Sequence, residues 1–232
     1  MNSNLFDNNQ VGIVSTFDEL VNTCFEGSMN AICLHRTLRG DFKEIVAKLQ
    51  LKENLTDIST EDLLALPLSE EGNIAREIII NDFNSLSGFG AMPTLNLLKS
   101  YERDEEFDFI STDVYSYHVD RSPIPADTFL CTYHGAASDI IPNHQVEKKV
   151  LIPEIREKLF ELYDGAETEF EDFLKEYSFD LHYQPKSDAD HLNLGVGQLW
   201  KLAVDHPEQK VLPCVHRAPR ENEGEIRLLL IC

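Results

Sequence analysis

Asp113-Val-Tyr-Ser-Tyr-His-Val-Asp120 is the stretch on which the fold turns. It is rich in β-branched and aromatic residues, as a half-buried strand is, and Pro123 and Pro125 close it. Residues two apart on a strand share a face, so His118 and Asp120 point to the same side. A neutral imidazole and a carboxylate together suit a borderline divalent metal. The pair alone is weak evidence. Composition readily supplies one such pair, and His206-Pro-Glu208 is a second of the kind, expected in a turn.

Working downstream, Thr128 to Tyr133 reads as a strand closed by His134-Gly135, and further strands are expected at 198–204, 210–216 and 226–231. Residues 152–178 interrupt them as an acidic helical insertion, with Leu159, Phe160, Tyr163, Phe170 and Phe173 on its apolar side. Short strands with one helical insertion suggest a sandwich or barrel, not a parallel α/β sheet. Upstream, Val11–Val14 and Ala31–Leu34 are short apolar runs, and Phe42, Ile45, Val46 and Leu49 recur at helical spacing. Ser15–Glu19 and Ser59–Asp62 look like helix starts, 74–83 reads as a longer helix, and Ser85–Gly90 with Pro93 as a breaker. The expectation is an α+β chain. An N-terminal α/β segment, 1–109, supports a β core over 110–232, the two expected to form one compact unit.

The 232 residues carry 41 acidic against 20 basic side chains, a formal charge of −21. Such a chain lacks the basic footprint of nucleic-acid binders and is repelled by anionic membrane surfaces. No run approaches the roughly 18 apolar residues of a membrane-spanning helix. The first ten residues show no basic-then-apolar leader, and five scattered cysteines without a C-x-x-C pair do not form a secreted disulfide framework. The expectation is a reduced, cytoplasmic protein with a small-molecule partner. Gly195-Val-Gly197 lacks the third glycine of a dinucleotide fingerprint, and no phosphate-binding loop or nucleophile elbow is present.

The far end of the chain gives the H-x-D pair its meaning. His216 follows an expected strand, and Arg217-Ala-Pro219 and Arg227-Leu-Leu-Leu230 come after it. With His118 and Asp120, these residues resemble the Fe(II)/2-oxoglutarate-dependent oxygenase superfamily. Its pattern is H-x-D, a long gap, H, then Arg or Lys roughly ten residues later. Leu130-Cys-Thr-Tyr-His-Gly135 and Gly197-Gln-Leu-Trp200 look like the intervening strands, and the motif set is also similar to an uncharacterised bacterial domain family. The resemblance spans residues 110–232. It implies a double-stranded β-helix (jelly-roll) core and a hydroxylase-type dioxygenase acting on a small molecule or an amino-acid side chain. It further implies His118, Asp120 and His216 as iron ligands, and Arg227 clamping the distal carboxylate of 2-oxoglutarate with Tyr133 nearby. An Arg suits that role because its planar fork pairs bidentately with a carboxylate. Arg217 and His134 are expected pocket residues. Arg121, Arg217, Arg220 and Arg227, close in sequence to the ligands, suggest a locally basic pocket inside an acidic exterior.

Two other readings stand beside it. Cys131, His134, Cys214 and His216 could form a tetrahedral zinc site in a non-catalytic metal-binding protein, and a metal-free interaction module needs neither set. His182 and His191 bracket a polar loop that reads as a lid or a long connection.

Overall fold

Thr16 and Ser59 each accept the backbone N–H of the residue three on, and Glu19 and Asp62 reach back to the cap, so two capping boxes start α1 (Phe17–Asn22) and α3 (Thr60–Leu64). The computed structural model describes residues 9–220, 222 and 224–232. Most of the stretch read for a leader therefore lies outside the described residues. Asp41 caps α2 (Phe42–Lys48). The long helix α4 spans Glu70–Phe89, so it runs through the expected breaker. Its buried residues Ala75, Ile79, Asp82 and Leu86 keep the helical period, and packing of that stripe overrides the weak local preference of Ser85, Ser87 and Gly88. Gly90, at φ 101°, closes the helix in the left-handed region where a side chain would be strained.

The first sheet has seven strands in the order β1 (Val11–Val14), β2 (Ala31–Leu34), β11 (Leu199–Ala203), β6 (Asp127–His134), β13 (Arg227–Ile231), β4 (Thr94–Leu98) and β3 (Leu55–Asp57). Only β1 and β2 run parallel. The first hundred residues therefore do more than support the core: they flank the strands of the second half on both sides of one sheet. The second sheet has six short strands, β10 (Leu192–Asn193), β7 (Asp139–Ile140), β12 (His216–Arg217), β5 (Tyr117–His118), β9 (His182–Pro185) and β8 (Val146–Lys148). The molecule is thus a mixed α+β fold with two sheets.

Strand alternation divides the core into layers. Leu228, Leu230, Phe129 and Cys131 face α1–α4 and pack with Leu20, Ile45, Ile79 and Leu86. Leu229, Leu130 and Trp200 face the second sheet and pack with Ile140, Leu194 and Cys214. Trp200 is fully buried and gives its indole N–H to Leu194 O at 2.8 Å. The insertion is two helices, α5 (Pro153–Leu162) and α6 (Phe170–Glu176), around an apolar cluster of their own.

The two strands expected at 113–120 and 210–216 shrink to two residues each. Asp113 accepts the backbone N–H groups of Tyr115 and Ser116, which turns the chain before the strand can begin. Among the described residues no helix is long and apolar enough to cross a membrane. All five cysteines are free thiols.

Candidate metal centre

β5 and β12 are neighbours, and His118 lies directly opposite His216. Tyr117, Val119 and Val215 point to the far side of the second sheet and pack there. The alternation leaves His118, Asp120 and His216 on the side facing the first sheet. Their ligand atoms all lie within 4.8 Å of one another. His118 Nε2 is 3.9 Å from Asp120 Oδ1, and His216 Nε2 is 3.7 Å from Asp120 Oδ2. The two imidazole centroids are 4.5 Å apart.

Each ring is oriented through its other nitrogen. His118 Nδ1 is 2.8 Å from Ser116 O and His216 Nδ1 is 3.2 Å from Cys214 O. A carbonyl only accepts, so the proton sits on Nδ1 in both rings and the Nε2 lone pairs turn toward Asp120. Burial, and next to it the charge of His216, push His118 down to about 4, so it is neutral near pH 7. Burial disfavours ionised Asp120, but His216, the Thr128 hydroxyl and His118 outweigh it and hold the carboxyl below its ordinary range. The set is two imidazole nitrogens and one carboxylate, the donor chemistry of a divalent-metal site with open positions. Bonds of about 2.0–2.2 Å put adjacent donors about 3–3.5 Å apart, so these three need to draw in only slightly.

Thr128 was not singled out in the sequence. It stands on β6, across the gap between the sheets, and donates its hydroxyl to Asp120 Oδ2 at 2.5 Å. Such outer partners of a ligating group typically contribute 10–100-fold in metal affinity. Thr128→Val, which keeps the shape and removes the hydroxyl, is expected to weaken Fe(II) or Zn(II) binding by about tenfold in a chelator competition, with Thr128→Ser near wild type. Equal affinity in all three proteins would remove Thr128 from the site.

Comparisons of the chain with family models, curated proteins and solved structures gave no match. The candidate centre therefore rests on its own geometry.

The other expected site residues fall in several places. Arg227, the first residue of β13, is buried and shares the inter-sheet face with Leu229. Its Nε donates to Ala136 O at 2.7 Å, and its charge and a hydrogen bond act on Tyr101. Gly135, at φ 83°, passes so close that a Cβ there would lie 2.8 Å from Arg227 Cγ. Tyr133 points the other way, into the helix-facing core. It stacks on Phe42 and gives its hydroxyl to Asp82 at 2.7 Å, so the expected place beside a co-substrate is corrected. Arg217 turns to the outer face of β12, pairs with Asp139 at 3.0 Å and covers the Tyr117 ring, because it is one residue out of phase with His216. His134 ends β6 opposite Leu228.

The expected basic pocket is also reduced. Arg121 is ion-paired with Asp180 and Asp205, and Arg217 with Asp139. The alternative thiol site is not assembled. Cys131 lies in the helix-facing core and Cys214 between the sheets, and among the described residues the grouping within metal-binding distance is the His118, Asp120 and His216 set. Burial raises both thiols, Cys131 to about 12, which keeps them protonated. Sequence reasoning also missed His182, which it placed at a loop edge. It starts β9, pairs with His118 across the strands, and its ring lies 5.8 Å from that of His118.

Proposed function

We propose that this chain is an Fe(II)- and 2-oxoglutarate-dependent oxygenase of the double-stranded β-helix type, with a small molecule or an amino-acid side chain as substrate. One observation carries the reading: two imidazoles and a carboxylate from distant parts of the chain converge with one possible ligand atom from each within 4.8 Å of the others. In this reading His118, Asp120 and His216 hold iron on one side and leave the opposite side open. Bound there, iron would let O2 oxidise 2-oxoglutarate to succinate and CO2, one oxygen atom going to succinate and the other into a substrate C–H bond.

The chain's own part is to bind and orient. His118 and His216 are kept in one tautomer by Ser116 O and Cys214 O, and Thr128 holds Asp120 in place. Arg227 lies at the end of β13, buried, with Ala136 O fixing its Nε. In this reading that guanidinium, held at Nε by Ala136 O and close to Tyr101, pairs with the distal carboxylate of the co-substrate. The hydrophobic layer between the sheets, with Leu130, Trp200 and Leu229, limits water on that side.

The test is spectroscopic. Anaerobic Fe(II) plus 2-oxoglutarate should give a weak visible charge-transfer band in the wild-type protein. Arg227→Ala should bind Fe(II) with unchanged affinity but require at least about tenfold more 2-oxoglutarate for the band. No band in the wild type, or a band indifferent to Arg227→Ala, sinks the assignment.

A further inference from the structure

Three imidazoles cross adjacent strands in a row: His216 on β12, His118 on β5 and His182 on β9. The first two belong to the candidate metal centre. His182 does not, because the atoms that gather within 4.8 Å of one another are those of His118, Asp120 and His216. It is nonetheless 4% exposed, and its Nδ1 is sealed without a hydrogen-bond partner. No hydrogen bond joins the ring to another described residue. A buried ring left in that state is uncommon and asks for a partner that the chain does not supply.

The place for that partner is a cleft of about 870 Å³ that His182 lines together with His118 and Asp120. Since Nδ1 is sealed, the ring edge open to the cleft carries Nε2. Orphaned buried N–H groups are rarer than orphaned acceptors, so the proton belongs on Nε2 and His182 is a donor toward the cleft. Several acceptors along the same walls already have donors. Asp113 takes the backbone N–H groups of Asp104, Tyr115 and Ser116, Asp205 takes Arg121, and Asp120 takes Thr128. Val114, Leu181, Pro123 and Pro207 supply apolar wall. A cleft with an unused donor and apolar sides fits a ligand that brings an acceptor on an apolar body.

We propose that His182 is a ligand-binding residue: a small carboxylate with an apolar body enters this cleft and accepts a hydrogen bond from the imidazole, beside the metal. The inference deepens the oxygenase reading by naming the class of substrate, and it rests on that reading for the neighbouring metal. Arg227 lies away from this cleft, toward Ala136 and Tyr101, so the two carboxylate sites are distinct.

The experiment uses the full chain loaded with Zn(II), as a diamagnetic ion, and benzoate as the probe. In the wild type the His182 Nε2–H resonance should move and saturate as benzoate is added. His182→Leu should bind benzoate on the order of tenfold more weakly, with Zn(II) affinity within about threefold of wild type. His182→Gln keeps an N–H and should bind within about threefold of wild type. A wild-type resonance that does not move overturns the proposal, as does His182→Leu binding benzoate like wild type. So does His182→Leu losing Zn(II), which would make the residue part of the metal centre. Because the resonance is also read in protein without metal, the two readings fail separately. Benzoate at His182 with no Zn(II) uptake sinks the metal centre alone. Zn(II) uptake with an unmoved resonance sinks the ligand site alone.

Discussion

His118→Ala and His216→Ala are each expected to weaken divalent-metal binding by more than about 100-fold, since loss even of an outer partner of a ligand commonly costs 10–100-fold. The reason is geometric. Each histidine contributes an Nε2 whose direction is set by a backbone carbonyl on its other nitrogen. Among the described residues no second group of ligating side chains comes together to take the ion instead. His144→Ala, a histidine outside the triad, is the control and should bind as wild type. Competition with a chromophoric chelator measures all three. Affinity of His118→Ala within about threefold of wild type would dissolve the metal centre, and with it the proposed function.

Asp82→Ala is expected to be the most destabilising polar substitution, by about 3–5 kcal/mol, with metal affinity unchanged. Asp82 lies on the buried stripe of α4 and accepts from both terminal nitrogens of Arg36, at 2.7 and 2.5 Å, and from the Tyr133 hydroxyl at 2.7 Å. Arg36 in turn gives Nε to Gly197 O at 2.9 Å. Truncation strands a partly buried guanidinium and a buried phenol. The cost of an uncompensated buried charge is what makes one partner's removal so large, although the intact pair is not thereby a large net stabiliser. For a chain of this size the loss corresponds to a fall of roughly 10 °C in melting temperature. Urea unfolding of Asp82→Ala against wild type checks it. A change below about 1 kcal/mol would show that Arg36 finds another partner or water. Metal affinity should hold because this network sits on the helix-facing side of β6 and the triad on the other.

Some of this was legible from local chemistry. The helix starts expected at Ser15–Glu19 and Ser59–Asp62 are capped by Thr16 and Ser59, the runs at 11–14 and 31–34 are strands, and the run expected at 226–231 is a strand from Arg227. The candidate ligands could be read because β alternation places His118 and Asp120 on one face whatever the partner strand is. The same rule misled where a strand proved short. Asp113 turns the chain ahead of Tyr117, and Pro207 and Pro213 flank irregular backbone before Cys214. Tyr133 was mistaken for a co-substrate neighbour because alternation says only that two residues differ in face. It does not say which face meets the helices.

His118-x-Asp120, the distant His216 and the alternation around them were determined by the sequence alone, because they depend on residue identity and the two-residue repeat of a strand. Their convergence was decided only by tertiary structure, through the pairing of β5 with β12. So were the hydroxyl of Thr128 reaching Asp120 from the other sheet, the turn of Tyr133 away toward Asp82, and the placing of His182 beside His118. Each of these needs two strands, or a strand and a helix, brought together from far apart in the chain. Packing across the two hydrophobic layers selects those partners, and no local pattern encodes them.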